Sequence, residues 1–312
     1  MSSVPALVPV HESAPVWGWV RIRALVVDSV RSPHSRRVYS KALDDFRDWC
    51  ERSGADGFTR ETVQRYRAHL EARGIAPSSL NLYLTVLRKL AQEAAANGIL
   101  SQDIAASVIA VKGARQKGTR LGTWLTLDQA QALLRAAAGD SLRARRDQAL
   151  LALLVGCGLR RNELATLELE SIQQREGRWV IVDLEGKGSR VRSVPMPAWA
   201  KAAVDRWTAV AAIEVGRLFR AISQKGEVGE ALTAQAVYLI VKRYAEKLGI
   251  AIAPHDLRRT FAKLAHRGRS PLEQIQLSLG HDSILTTERY LGVRQNLTDA
   301  PCDHLGIELE EQ

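Results

Sequence analysis

Seven consecutive apolar residues, Ala149 to Val155, run into Gly156-Cys157-Gly158 and are followed at once by Leu159-Arg160-Arg161-Asn162-Glu163-Leu164. The pattern is that of an apolar helix, far shorter than the ~20 residues that cross a bilayer. The chain is therefore expected to be soluble, with no membrane partner. The glycines that end the helix let the backbone turn tightly and place a cation, Arg160 or Arg161, where two helices meet.

The next stretch changes period. Arg178 to Leu184, then Glu185-Gly186-Lys187-Gly188, then Ser189 to Val194 alternate and turn like a β-hairpin, with Lys187 near the tip. Everything else readable is helical. Ser32-Pro33 opens a helix with Val38, Ala42, Phe46 and Trp49 inward and Gly54 beyond its end. Thr59 caps a second, with Val63, Tyr66 and Leu70 inward and Gly74 as its stop. Ser78 or Ser79 starts a third, with Leu80, Leu84, Leu87 and Ala91 inward and Gly98 beyond. Thr126-Leu127-Asp128-Gln129 is a capping box that opens a further region. The fold class expected is mainly α with a small β-hairpin.

A length of 312 residues favours two domains, and 46% hydrophobic residues are enough for two cores. Lys112 to Arg120 lacks apolar periodicity and reads as a flexible basic linker. The divisions expected are a tail over 1–16, a helical domain over 17–110, the linker over 111–122 and a second domain over 123–312. The tail holds Pro5, Pro9 and Pro15 without a basic leader, so it does not read as a signal peptide. Three cysteines, Cys50, Cys157 and Cys302, make no disulfide framework and suit a reducing cytoplasm.

The residues that carry chemistry lie late in the chain. His255 and Arg258 stand three apart on a helical run and share a face. Ser270-Pro271-Leu272-Glu273 reads as a capping box whose helix stops at Gly280, which delivers His281 at a helix end. Ser283 caps a last short helix on which Thr286 and Tyr290 share a face. Attack of a tyrosine on a phosphodiester adds negative charge to the non-bridging oxygens, and fixed cationic donors stabilise that charge beyond the ground state. The two histidines could alternatively ligate zinc, but the sequence has neither His-Glu-x-x-His nor cysteines paired at ligand spacing. No metal and no cofactor is expected.

Net charge points to the same substrate class. Residues 1–118 carry 17 Lys and Arg against 11 Asp and Glu, a balance of +6. Residues 119–298 carry +9, while 299–312 hold five acids and no Lys or Arg. Basic surfaces attract phosphate. Candidate DNA-facing charges in the helical domain are Arg36, Arg37, Lys41, Arg88 and Lys89, each of which could equally be a solvated face; Lys112, Arg115, Lys117 and Arg120 belong to the linker, which would lie along the duplex.

Together these motifs resemble the tyrosine recombinases of the phage-integrase family, similar to the Xer and Cre recombinases. The family's Gly-Leu-Arg-x-x-Glu-Leu matches Gly158 to Leu164 and selects Arg160 over Arg161. Its Gly-Lys-Gly hairpin matches Gly186 to Gly188, and its His-x-x-Arg, Leu-Gly-His and terminal Tyr match His255, Arg258, His281 and Tyr290. The resemblance implies a two-domain DNA clamp, a helical core-binding domain plus a mixed α+β catalytic domain. It implies that Tyr290 attacks the scissile phosphate to give a 3′-phosphotyrosine, with Arg160, Arg258 and His281 on the phosphate. Lys187 then protonates the 5′-oxygen, His255 acts as general base and Glu163 orients Arg160. Its implied partners are double-stranded DNA with an inverted-repeat core site and a homo-tetramer on two duplexes, in which residues 296–309 dock on a neighbour through Leu305, Ile307 and Leu309. After the tyrosine, Leu291-Gly292-Val293 stands where Xer recombinases continue with Thr-His, so integration, excision or resolution of a mobile element is favoured over a housekeeping role. The alternatives are relaxation of DNA as by a type IB topoisomerase and a non-catalytic DNA-binding regulator.

Overall fold

The computed structural model describes residues 16–55, 57–115, 122–186 and 191–292, in two compact units that part between Thr119 and Arg120. The first unit is all helix: α1 (Val16–Asp28), α2 (Pro33–Ser53), α3 (Arg60–Ala72), α4 (Pro77–Ala96) and α5 (Gln102–Ile109). The sequence-predicted capping of α2 is present, since Ser32 Oγ accepts from Ser35 N and Gly54 closes the helix at φ +58°. Thr59 likewise caps α3. Helix α4 begins at Pro77, earlier than the expected Ser78 or Ser79, because proline's fixed φ suits the first helical position. The three-helix reading also omits α1 and α5, the latter too short at eight residues to show a period. Their packing completes a core built on Phe46, Trp49, Tyr66, Leu84 and Leu87.

Segment 112–115 lies in this unit and is not a loose linker, because Asn81 brackets Ala114 with two hydrogen bonds of 2.9 and 3.0 Å. It borders a groove of about 530 Å³ lined in part by Arg67, Lys112 and Arg115.

The second unit opens with α6 (Leu127–Ala136), α7 (Leu142–Gly156) and α8 (Arg161–Thr166), followed by β1 (Ile172–Arg175), β2 (Arg178–Glu185) and β3 (Val191–Pro195). Helices α9 (Ala198–Ala211), α10 (Ala234–Lys247), α11 (Pro254–Arg267), α12 (Leu272–Leu279) and α13 (Ile284–Leu291) complete it. Helix α6 carries the expected capping box of Thr126 and Gln129. Residues 149–155 of α7 are buried on every face, with α9 and α11 packed around them. The strands form one antiparallel sheet in the order β1-β2-β3, one strand more than the hairpin read from sequence. A bulge between Ile181 and Leu184, with Asp183 at φ +54°, resets the register so that Leu184 faces Arg192 and Ile181 faces Val194. Arg192 therefore shares the inward face of β3 with buried Val194. Among the described residues no helix is long and apolar enough to cross a membrane.

Candidate active site

The turn after α7 sets the first cation. Gly158 has φ +60°, and a Cβ there would fall 2.7 Å from the Phe261 ring of α11, so only glycine brings the two elements this close. Arg160 follows as the residue capping α8, while its neighbour Arg161 is exposed.

Glu163, buried one turn into α8, gathers four donors on its two oxygens. The Arg160 amide donates at 2.8 Å and Arg160 Nη1 at 2.6 Å, and the Arg192 Nη1 and Nη2 groups donate at 3.0 and 2.8 Å. Burial alone would raise the Glu163 pKa, but these bonds outweigh it and hold the group at about 2. It is a permanent anion between two arginines.

The C-terminal carbonyls of α12 are the second organising point. Arg192 Nε donates to Ser278 O at 2.9 Å, Arg160 Nη2 to Leu279 O at 3.4 Å, and Arg258 Nη2 also to Leu279 O. Three guanidinium groups from β3, α8 and α11 thus meet the negative end of one helix. Arg258 Nη1 donates to Gly158 O at 2.6 Å, and its side chain is 1% exposed, so burial lowers its pKa to about 10. Arg160 is the more open of the pair, at 31%.

Gly280 ends α12 at φ +58°, where a Cβ would meet Arg192 Cδ at 2.8 Å. The helix starts after Pro271 without a side-chain cap, so Ser270 does not form the expected capping box. His281 follows Gly280, and its Nδ1 shares a 2.9 Å hydrogen bond with the hydroxyl of buried Thr287, leaving Nε2 for an outside partner. Burial, aided by Arg258 and Arg160, lowers the His281 pKa to about 4. Ser283 Oγ accepts from Leu285 N at 3.2 Å and so caps α13 as expected. Thr287, rather than the exposed Thr286, is the threonine of α13 that reaches the site.

Tyr290 stands edge-on to both imidazoles, with centroids 5.2 Å from His281 and 5.8 Å from His255. Its hydroxyl donates to the His255 carbonyl at 3.4 Å, not to the imidazole. Burial pushes the phenol above its ordinary pKa near 10, against the opposing pull of Arg258 and Arg259. His255 reaches solvent, yet burial of its inner side and Arg259 lower its pKa. His255 and Arg258 therefore leave the same end of α11 at different depths.

Lys187, Lys117, Arg120 and residues 296–309 lie outside the described residues. Of the other candidate charges, Lys41 and Lys89 pair with Asp45 and Glu93, Arg36 pairs with Asp28, and Arg88 donates to Ile109 O at the end of α5 and Val111 O just beyond it. Arg37 is exposed. Sequence reasoning missed Arg192. The available signal was its spacing of two from Val194, which puts a charge on the inward face of a strand. Among the described residues no three His, Cys, Asp or Glu side chains converge as a metal site.

Residues 123–296 match the phage integrase family, and residues 22–98 match its N-terminal SAM-like domain. The tyrosine recombinase XerC of Pseudomonas fluorescens strain Pf-5 is 34% identical over 266 residues, covering 83% of this chain and 85% of its own. XerC of Azotobacter vinelandii is likewise 34% identical at the same coverage. The chain belongs to the phage integrase family. Its activity is that of a tyrosine recombinase, site-specific breakage and rejoining of DNA. Solved structures agree in fold. A lambda integrase dimer bound to a COC′ core site superposes with TM-score 0.67 at 19% identity, over 91% of this chain and 77% of that one. The Tn1549 transposon integrase in complex with circular intermediate DNA gives TM-score 0.67 at 16% identity, over 92% and 98%. The fold of this family is the one observed, a helical unit and a mainly helical unit with a small antiparallel sheet.

Proposed function

We propose that Tyr290 is the nucleophile and that Arg160, Arg258 and His281 hold the phosphate it attacks. The observation that carries this reading is the convergence of Tyr290 and His281, edge to face with ring centroids 5.2 Å apart, beside the Leu279 carbonyl that collects Arg160 and Arg258. The phenolic oxygen bonds to phosphorus and the 5′-oxygen leaves, giving a 3′-phosphotyrosine, and the reverse attack by a 5′-hydroxyl rejoins the strand. Arg160 faces outward with planar donors suited to the non-bridging oxygens. Glu163, an anion at neutral pH, fixes the direction of that guanidinium. His281 is neutral at pH 7, so its Nε2 serves as a neutral donor or acceptor until phosphate binding raises its pKa. His255 takes the Tyr290 proton once the hydroxyl swings from the backbone carbonyl to the ring, and Lys187 protonates the leaving 5′-oxygen.

The substrate is double-stranded DNA with an inverted-repeat core site, bound by a homo-tetramer on two duplexes in the cytoplasm. The DNA-binding and catalytic domains extend over 17–110 and 123–312, joined by a basic connection whose first residues, 112–115, are held on the helical unit, with Arg37, Lys112, Arg115, Lys117 and Arg120 among the phosphate contacts. The setting is integration, excision or resolution of a mobile element, supported by Leu291-Gly292-Val293 after the nucleophile. The test is covalent trapping. Wild type incubated with fragmented DNA of its own source and then denatured should carry a covalently attached strand whose sequence reveals the site. Tyr290→Phe should shift a duplex of that sequence in a gel and form no adduct. An adduct formed by Tyr290→Phe overturns the assignment.

A further inference from the structure

Two cations one turn apart on α11 touch both the nucleophile's helix and the segment by which the chain enters the second unit. The Arg259 guanidinium carbon lies 4.8 Å from the centroid of the Tyr290 ring. Its ion pair to Asp256 Oδ1 is long at 3.4 Å, and its Nε is buried with no hydrogen-bond partner among the described residues, so the ring is a principal partner of this charge. On its other side the guanidinium fills the space that a Cβ at Gly122 would occupy. Lys263, four residues on, repeats the arrangement. Its ammonium lies 4.4 Å from the centroid of the Trp124 ring and donates to Leu291 O at the end of α13. Between them Thr260 Oγ1 accepts from Leu125 N at 2.9 Å, which fastens the entering segment to α11.

We propose that Arg259 and Lys263 are positioning residues for strand cleavage, a cationic bracket through which the seating of residues 122–125 sets the position and ionisation of Tyr290. Arg259 favours phenolate over phenol because a cation over the ring gains when the ring carries charge. Lys263 fixes the end of α13 at a carbonyl that has no intrahelical donor. The same two side chains rest on Gly122 and Trp124, so a shift of the entering segment moves the charge over the nucleophile. Other groups facing Tyr290 are His255, Asp256 and Arg258 on α11, His281 before α13 and Arg160 at α8. Among the described residues Arg259, unlike these groups, meets both the ring and the segment at 122.

The inference rests on Tyr290 as nucleophile, and its first test uses the full chain without DNA. Protein carrying ¹³Cζ-tyrosine has six labelled rings, and the Tyr290 signal is the one missing from Tyr290→Phe. Arg259→Leu should raise the Tyr290 titration midpoint by about one pH unit, roughly tenfold less phenolate at a given pH, while Arg259→Lys stays nearer wild type. Gly122→Val, which touches no tyrosine, should move the same signal in the same direction by displacing Arg259. Lys263→Met should speed amide exchange over 284–291 and leave α12 unchanged. On the trapped duplex, the pH–rate profile of adduct formation by Arg259→Leu should move upward with the phenol. A Tyr290 midpoint unchanged in Arg259→Leu, unchanged in Gly122→Val, or shifted together with the other five rings overturns the proposal. An adduct persisting in Tyr290→Phe overturns instead the assignment of the nucleophile, which the titration does not address.

Discussion

The two units handle charge in opposite ways. In the first, no Asp, Glu, Lys or Arg among the described residues is buried, and ion pairs such as Arg67–Glu71 and Lys89–Glu93 run along helix surfaces at i,i+4 spacing around an aromatic core. In the second, Arg146, Asp147, Glu163 and Arg258 are all buried. Taking a charge out of water costs several kcal/mol unless it is paired and fully hydrogen-bonded, so buried ions mark places fixed by something besides stability. Burial alone does not locate the site, however. Asp147 is closed off by Arg146, Tyr244 and Arg243 on α7 and α10, whereas the Glu163 group opens to solvent through Arg160. The cluster proposed to hold the phosphate differs from the closed one in having one end, Arg160, still able to accept a ligand.

The largest expected effect separates those ends. Arg160→Ala and Arg258→Ala should each lower single-turnover cleavage by about a hundredfold or more, as for loss of a transition-state donor, with much smaller losses in duplex binding. Only Arg258→Ala should also lower Tm markedly, because it strips donors from Gly158 O and Leu279 O; parallel falls in cleavage and binding would reduce both arginines to anchors.

Asp147→Ala tests the closed cluster. It should cost about 3–5 kcal/mol in denaturant unfolding, since Arg146 is left buried without its counter-charge, yet leave cleavage per folded molecule at the wild-type level.

Acid sharpens the contrast further. Glu163 has a folded pKa of about 2 against 4.5 unfolded, so its stabilisation is complete above pH 4.5 and lost as pH falls toward 2. That loss is on the order of 3 kcal/mol, and Glu163→Gln should flatten this part of the stability–pH curve.

The smallest effect belongs to the first unit. Lys89→Ala should change stability by less than about 1 kcal/mol, because a surface pair still partly open to water gains little; a larger change would break the comparison.

Helix limits were legible wherever the signal was local. Ser32 with Gly54, Thr59 and the Thr126–Gln129 box each act within one helical turn, so the residues that make the bonds lie side by side in the sequence. The same rule misled at Ser270, where Pro271 took the capping position. The order and spacing of the motif from Arg160 to Tyr290 were also plain. The company these residues keep was not, because Arg192 meets Glu163 from 29 residues away and Leu125 meets Thr260 from 135.

By itself, then, the sequence determined much of the helix punctuation, the hairpin, the basic character of both halves and the chemical identity of the candidate site residues. All of these follow from short-range backbone chemistry and side-chain type. Tertiary structure alone decided that three guanidinium groups share the last carbonyls of α12, that Arg258 is buried while Arg160 is open, and that Arg259 and Lys263 join segment 122–125 to Tyr290. Depth and charge–charge distance depend on how α8, β3, α11 and α12 pack, and packing is set by contacts between residues far apart in the chain.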